Sequence, residues 1–333
     1  MYYRVYPNND YPDYEIIFTP GHIDAVLKEI KANFDIYFDI FLATEAGKTP
    51  STEEFQKVQT IMGIEVQHSS KSSQKQRLTK AFRNIIKDST NKFEDDRDIY
   101  LELLDGEFLD EAADDTGAFK NITLRKDCPR IRGILYSPDE SMKVYKEAFN
   151  RADSDELFNV FIGLNHFLVD YEEEFDDDDS YEDISDMTEL DLEELAGIRY
   201  FNVIGNGILS YFLYKNNPRL FPNRGKDAIW ALWFLTQKKT FGCQEDSEFL
   251  MVKIAECLTE HNFYYPYFLY AWYAFNIYKM LKEKAEQLDV YIDPEYRYVI
   301  VDAYMNFIAN LHRDIINQLS KPIPNNGLGW RRG

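Results

Sequence analysis

Two groups of closely spaced cations carry the clearest binding chemistry in this sequence. Lys71, Lys75, Arg77, Lys80, Arg83 and Lys87 recur every two to four residues, and with Lys92 they give segment 71–92 a charge of +6 against the single acid Asp88. Cations at this density along a helix neutralise neighbouring phosphates and release their counterions, which makes these residues candidate phosphate contacts. The second group is Lys215, Arg219, Arg224 and Lys226, interspersed with three asparagines and placed directly before a helical pattern. The orphan N–H groups and positive dipole end of a helix start attract anions, so this segment is a candidate anion or partner site.

Catalytic chemistry has no comparable concentration. The histidines His22, His68, His166, His261 and His312 show no HExxH or HxH pairing, and only Cys257 and His261 share a helical spacing. No metal site is expected from them. Residues 178–182 read Asp-Asp-Ser-Tyr-Glu, which resembles the DDxxE cluster of class I terpenoid synthases, where carboxylates hold Mg²⁺ against a diphosphate. The second cluster of that family would here be Asn206, Ser210 and Tyr214, with Tyr replacing the required Glu. No cofactor is expected; the one alternative is a divalent cation at Asp176–Asp179. Gly205-Asn206-Gly207 resembles a Fic-type loop, but Tyr200, Ile204 and Ile208 stand where its His, acid and Arg belong. The Arg-then-His spacing of HEPN nucleases does not occur, and Asp246, Glu248 and Lys253 do not fit a PD-(D/E)xK site.

The net charge of −21 is the property of two segments. Residues 170–194 hold 15 acids and no base, and residues 94–115 hold 11 acids against Arg97; without them the remainder is +4. A chain so divided attracts basic and acidic partners at different places. The three cysteines, Cys128, Cys243 and Cys257, are distant and odd in number, which argues against a disulfide framework. The opening MYYRVYPNND has no apolar h-region, and the longest apolar stretches, 228–235 and 264–275, fall short of the ~20 residues a spanning helix needs. A cytoplasmic protein without membrane association is expected.

The elements that would position these groups are mostly helical. Thr19 and Pro20 mark a helix start, and Ile23, Val26, Leu27, Ile30, Phe34, Tyr37, Phe38 and Phe41 repeat at helical spacing behind it. Ser51 and Glu54 form a capping box opening another helix, 68–73 reads as a Ser-rich loop, and Leu78, Phe82, Ile85 and Ile86 make the apolar face of the basic helix. Helices are further expected over 99–109, 139–150, 154–170, 190–214, 227–236, 247–260, 267–288 and 293–319. Strands are expected only at 2–6 with 14–18, and as a hairpin over 121–136. The aromatic run 264–278 covers every face of its helix, which suits a core or an interface.

The sequence therefore predicts a mainly α, bundle-like protein of about ten helices with at most a small β-hairpin. Its expected organisation is an N-terminal helical domain (1–170), an acidic linker (171–187), an aromatic-rich helical domain (188–320) and a flexible tail (321–333). The expected function is non-catalytic: a regulatory or interaction protein recruiting a macromolecular partner, most simply another protein, through segregated acidic and basic surfaces. The alternatives are nucleic-acid association through 71–92 and 215–226, or an enzyme whose site is dispersed along the chain. Oligomeric state is not encoded in any of these features.

Overall fold

A computed structural model describes residues 14–44, 71–175, 181–192, 197–243, 247–253 and 258–321. Among them are 14 α-helices and one two-stranded antiparallel sheet, the mainly α class expected. No described helix is long and apolar enough to cross a membrane. The chain divides into two compact units that interleave in sequence: 1–70, 226–265 and 304–333 in the first, 71–225 and 266–303 in the second.

The first unit begins with α1 (Tyr14–Ile17) and α2 (Pro20–Ala43). Pro20 takes the first helical position, where its missing N–H costs nothing, and Thr19 precedes it in extended conformation. Ile23, Val26, Leu27, Ile30, Phe34, Phe38 and Phe41 are buried, one face at the predicted spacing. Every residue from Ala228 to Leu235 is also buried, in the helix Lys226–Leu235. A helix apolar on all sides has to be enclosed, and α2 packs on it, with Asn33 Nδ2 donating to the Leu235 carbonyl at 2.9 Å. Arg313 clamps Asp227 with two parallel bonds of 3.0 and 2.8 Å. His22 Nε2 donates to the buried Glu248 carboxylate at 2.8 Å.

The second unit starts with the basic helix α3 (Lys71–Glu94), followed by α4 (Arg97–Leu103), α5 (Gly106–Ala112) and α6 (Thr116–Ala118). A π-helix (Phe119–Asp127), α7 (Pro129–Leu135), α8 (Lys143–Arg151) and α9 (Ser154–Glu174), which buries Leu157, Phe158, Phe161 and Leu164 along one face, come next. Asp153 caps α9 by accepting from the Asp155 and Glu156 amides. The unit is completed by α10 (Asn206–Asn216), by α12 (Tyr267–Gln287, after Lys226–Leu235 as α11) and by the start of α13 (Arg297–Leu311). Tyr267, Tyr270, Tyr273, Phe275 and Tyr278 are buried, so the aromatic run of α12 is core. Residues Ile184–Leu190 form a 3₁₀ turn against α12 and bury Met187 and Leu190.

Several expected elements differ. Residues 14–17 form a helical turn instead of a strand, with Ile17 buried. The hairpin expected over 121–136 is helical: the Cys128 amide bonds the Thr123 carbonyl five residues back, and Pro129 then starts α7. Burial at Phe119, Leu124, Cys128 and Ile131 follows that widened turn, which disguises helical periodicity. The helix expected over 247–260 is the sheet: β1 (Leu250–Lys253) pairs with β2 (Leu258–His261), Val252 facing Thr259. β-Branched residues at facing positions suit a pleated surface better than a helix. The segment 190–214 becomes helical only at Asn206, with Gly205 extended at its N-cap, and 71–73 already belong to α3. The opening strand 2–6, the helix opened at Ser51 and the tail beyond 321 lie outside the described residues, as do 176–180 of the acidic segment.

In the first unit His312 stacks on Phe234 with ring centroids 3.9 Å apart and shares a 2.9 Å hydrogen bond with the Tyr37 hydroxyl. Burial, helped by the positive Lys238, pulls its pKa from 6.5 down to about 4. Unfolded chains therefore take up a proton between these values that the folded protein refuses, and stability falls as pH drops through that window. Relative to a His312→Gln variant, the natural protein should lose roughly 2–3 kcal/mol more between pH 7 and pH 4 by denaturant melts. Parallel pH profiles would show that His312 does not resist protonation.

Candidate basic interface

The inner face of α3 buries Phe82, Ile85 and Phe93, which fixes the rotation of the helix. Lys75, Arg77, Lys80, Arg83 and Lys87 are exposed, and Lys71 lies at the helix start. A cleft of about 520 Å³ runs beside this face. Lys75, Gln76, Thr79, Lys80, Arg83 and Asn84 line it from α3, and Leu288 with Asp289 closes it from the end of α12.

The far wall is built by a helix-terminating motif. The Val290 amide bonds the Ala285 carbonyl at 2.8 Å and the Asp289 amide bonds Glu286 at 3.2 Å, the paired bonds of a Schellman cap. Such a cap requires a left-handed residue, and Asp289 supplies it with φ +55° where glycine is usual. Thr79 Oγ1 donates to the Leu288 carbonyl at 2.8 Å, and the Arg83 guanidinium donates to the Asp289 carbonyl at 2.8 Å. Lys75 Nζ lies 2.5 Å from the Asp289 carboxylate, and this bond holds the carboxyl below its usual range. Both partners are exposed, at 50% and 76%, so the pair is screened by solvent and salt. Cations against a helix C-terminus also meet its negative dipole end.

The 215–226 cations do not form one surface. Lys215 is 3% exposed; its ammonium pairs with Asp96 at 2.6 Å, donates to the Phe93 carbonyl and sits 4.4 Å above the Phe93 ring, with Tyr100 and Tyr211 beyond. Burial pushes the Tyr211 and Tyr100 phenols up, so both rings remain neutral and offer their negative faces. Arg224 is buried, and Arg219 pairs with Glu295 at 3.3 Å with its guanidinium over Phe175. Lys226 is exposed and begins α11 in the first unit.

Of the other candidates, Asp176, Asp179, His68 and Cys257 lie outside the described residues. Among the described residues no group of three or more His, Cys, Asp or Glu side chains is arranged to hold a metal. Cys128 is buried, which pushes its thiol up to about 11 and leaves it unreactive at neutral pH. His166 is exposed, and His261 packs on Phe263. Sequence reasoning missed Asp289, whose relation to Lys75 spans 214 positions and follows from tertiary structure alone.

Compared with known proteins, the chain matches no protein-family model, no curated protein and no solved structure.

A buried ammonium is costly without its carboxylate, whereas an apolar side chain of similar length removes the charge altogether. Asp96→Ala should therefore destabilise the protein by about 2 kcal/mol, and Lys215→Met by less than about 1 kcal/mol, in denaturant melts. The reverse order would mean that Lys215 contributes packing or binding independent of Asp96.

Proposed function

We propose that the protein is a non-catalytic interaction protein that recruits a macromolecular partner through segregated acidic and basic surfaces. The observation that carries this is the outward face of α3, where Lys75, Arg77, Lys80, Arg83 and Lys87 are exposed while apolar residues hold the opposite face in place. In the same unit Asp95, Asp98, Glu102, Asp105, Glu107, Asp110 and Asp114 are exposed along the following segment. Opposite charges arranged this way orient an incoming polyanion and repel approach by the wrong side. The basic face supplies the attraction, and the acidic run supplies register and exclusion.

Heparin, a flexible sulfated polyanion, tests this on the intact chain. Binding followed by anisotropy should weaken steeply as salt rises from about 50 to about 200 mM, as counterion release requires. Reversing Arg77, Lys80 and Lys87 to Glu should cost at least about tenfold in affinity while leaving the melting temperature nearly unchanged, because these side chains are at the surface. Absence of binding at low salt, or undiminished binding by the triple variant, would contradict a basic recruiting surface.

A further inference from the structure

We infer that the cleft between α3 and the end of α12 binds single-stranded nucleic acid, with a backbone phosphate replacing the Asp289 carboxylate and a base stacking on Tyr291. This rests on the recruiting role of the α3 face and names its partner. Asp289 already demonstrates the chemistry: its carboxylate occupies an anion position beside the Lys75 ammonium, with Arg83 and the Thr79 hydroxyl bonded to the same turn. An internal carboxylate of this kind is a built-in competitor, and its exposure allows an external anion to take its place. The residue type at this position points the same way. At a left-handed cap position glycine would be unstrained, yet the chain carries an acid there, paired with Lys75 and beside Arg83.

Stacking requires an aromatic face open to solvent within a nucleotide of the phosphate. Tyr291 is 76% exposed, and two peptide units place its Cα no more than about 7.6 Å from that of Asp289. Most other tyrosines near α12 are buried core, so an exposed ring here is not explained by packing. Gln76 and Asn84 line the same cleft and carry both donors and acceptors suited to unpaired base edges. The cleft volume of about 520 Å³ matches a nucleotide-sized ligand. A duplex presents no free base to Tyr291.

The probes are a short mixed-sequence single strand, its duplex, polyglutamate and heparin, each titrated into the intact protein by anisotropy. Two variants separate the contributions. Asp289→Asn removes the competing charge and keeps a side chain that tolerates the left-handed cap, so it should tighten single-strand binding several-fold. Tyr291→Ala should weaken single-strand binding by about five- to a hundredfold, the range for one lost base stack, without affecting heparin. Equal affinity for duplex and single strand, a stronger hold on polyglutamate, or unaltered single-strand binding in both variants would overturn the inference. Heparin binding in any of those cases would leave the recruiting role standing. Loss of all four ligands would remove both.

Discussion

The burial of the Lys215 ammonium is the constraint from which the arrangement of the second unit follows. A full charge inside protein must be compensated from several directions at once. Here the Phe93 carbonyl and ring come from the end of α3, Asp96 from the α3–α4 turn, Tyr100 from α4 and Tyr211 from α10. Arg97 reinforces the junction by donating to the Lys215 and Asn216 carbonyls at 3.1 and 2.9 Å, and Asn216 Nδ2 donates to the Tyr100 carbonyl. These bonds fix the C-terminal end of α3 in rotation as well as position. Phe82 and Ile85 then point inward, and the cations between them have only the outer face to occupy.

The same logic recurs at Arg297, which is fully buried yet donates to the Arg219 carbonyl and lies over the rings of Phe275 and Tyr298 at 5.6 and 5.1 Å. Its guanidinium is also 5.8 Å above Tyr181, whose ring packs edge-on against Phe275. Part of the acidic segment is thereby tied to the core by an aromatic residue and a cation, with its carboxylates left outside. The first unit is built differently. There the apolar Ala228–Leu235 stretch of α11 is enclosed, and buried polar contacts such as Asn33 on the Leu235 carbonyl at the end of α11 and Tyr304 on the Phe34 carbonyl of α2 sit within an apolar core.

Much of this was legible from residue spacing. The face of α2 and the two-faced α3 follow from apolar residues at three- and four-residue intervals, whereas α11 and α12 showed as continuous apolar and aromatic runs that suited a core or an interface alike. Spacing fails where the backbone leaves the regular helix, as at Thr123–Cys128, whose five-residue step resembled strand-like irregularity. It also fails for short apolar runs such as Leu250–Val252, where periodicity does not separate helix from strand. The candidate interface was half visible. The cations of α3 could be read directly, because nothing apolar shares their face. Lys215 was placed on a surface because its burial depends on aromatic and carboxylate partners, Phe93 and Asp96, more than a hundred positions away, and the buried Arg224 was misplaced with it. Asp289 could not be found in advance, since its role comes from a helix cap meeting another helix.

The central claim is that Lys215 is locked inside while the other lysines of this region form the contacting face. Lysine acetylation of the intact protein, read by mass spectrometry with and without a bound single strand, tests both halves together. The account predicts that Lys215 is unreactive in either state. Lys75, Lys80 and Lys87 should react freely alone and be protected by the strand, while the exposed Lys143 and Lys282 remain unchanged. Ready acetylation of Lys215 in the free protein, or protection spread evenly over all exposed lysines, would contradict it.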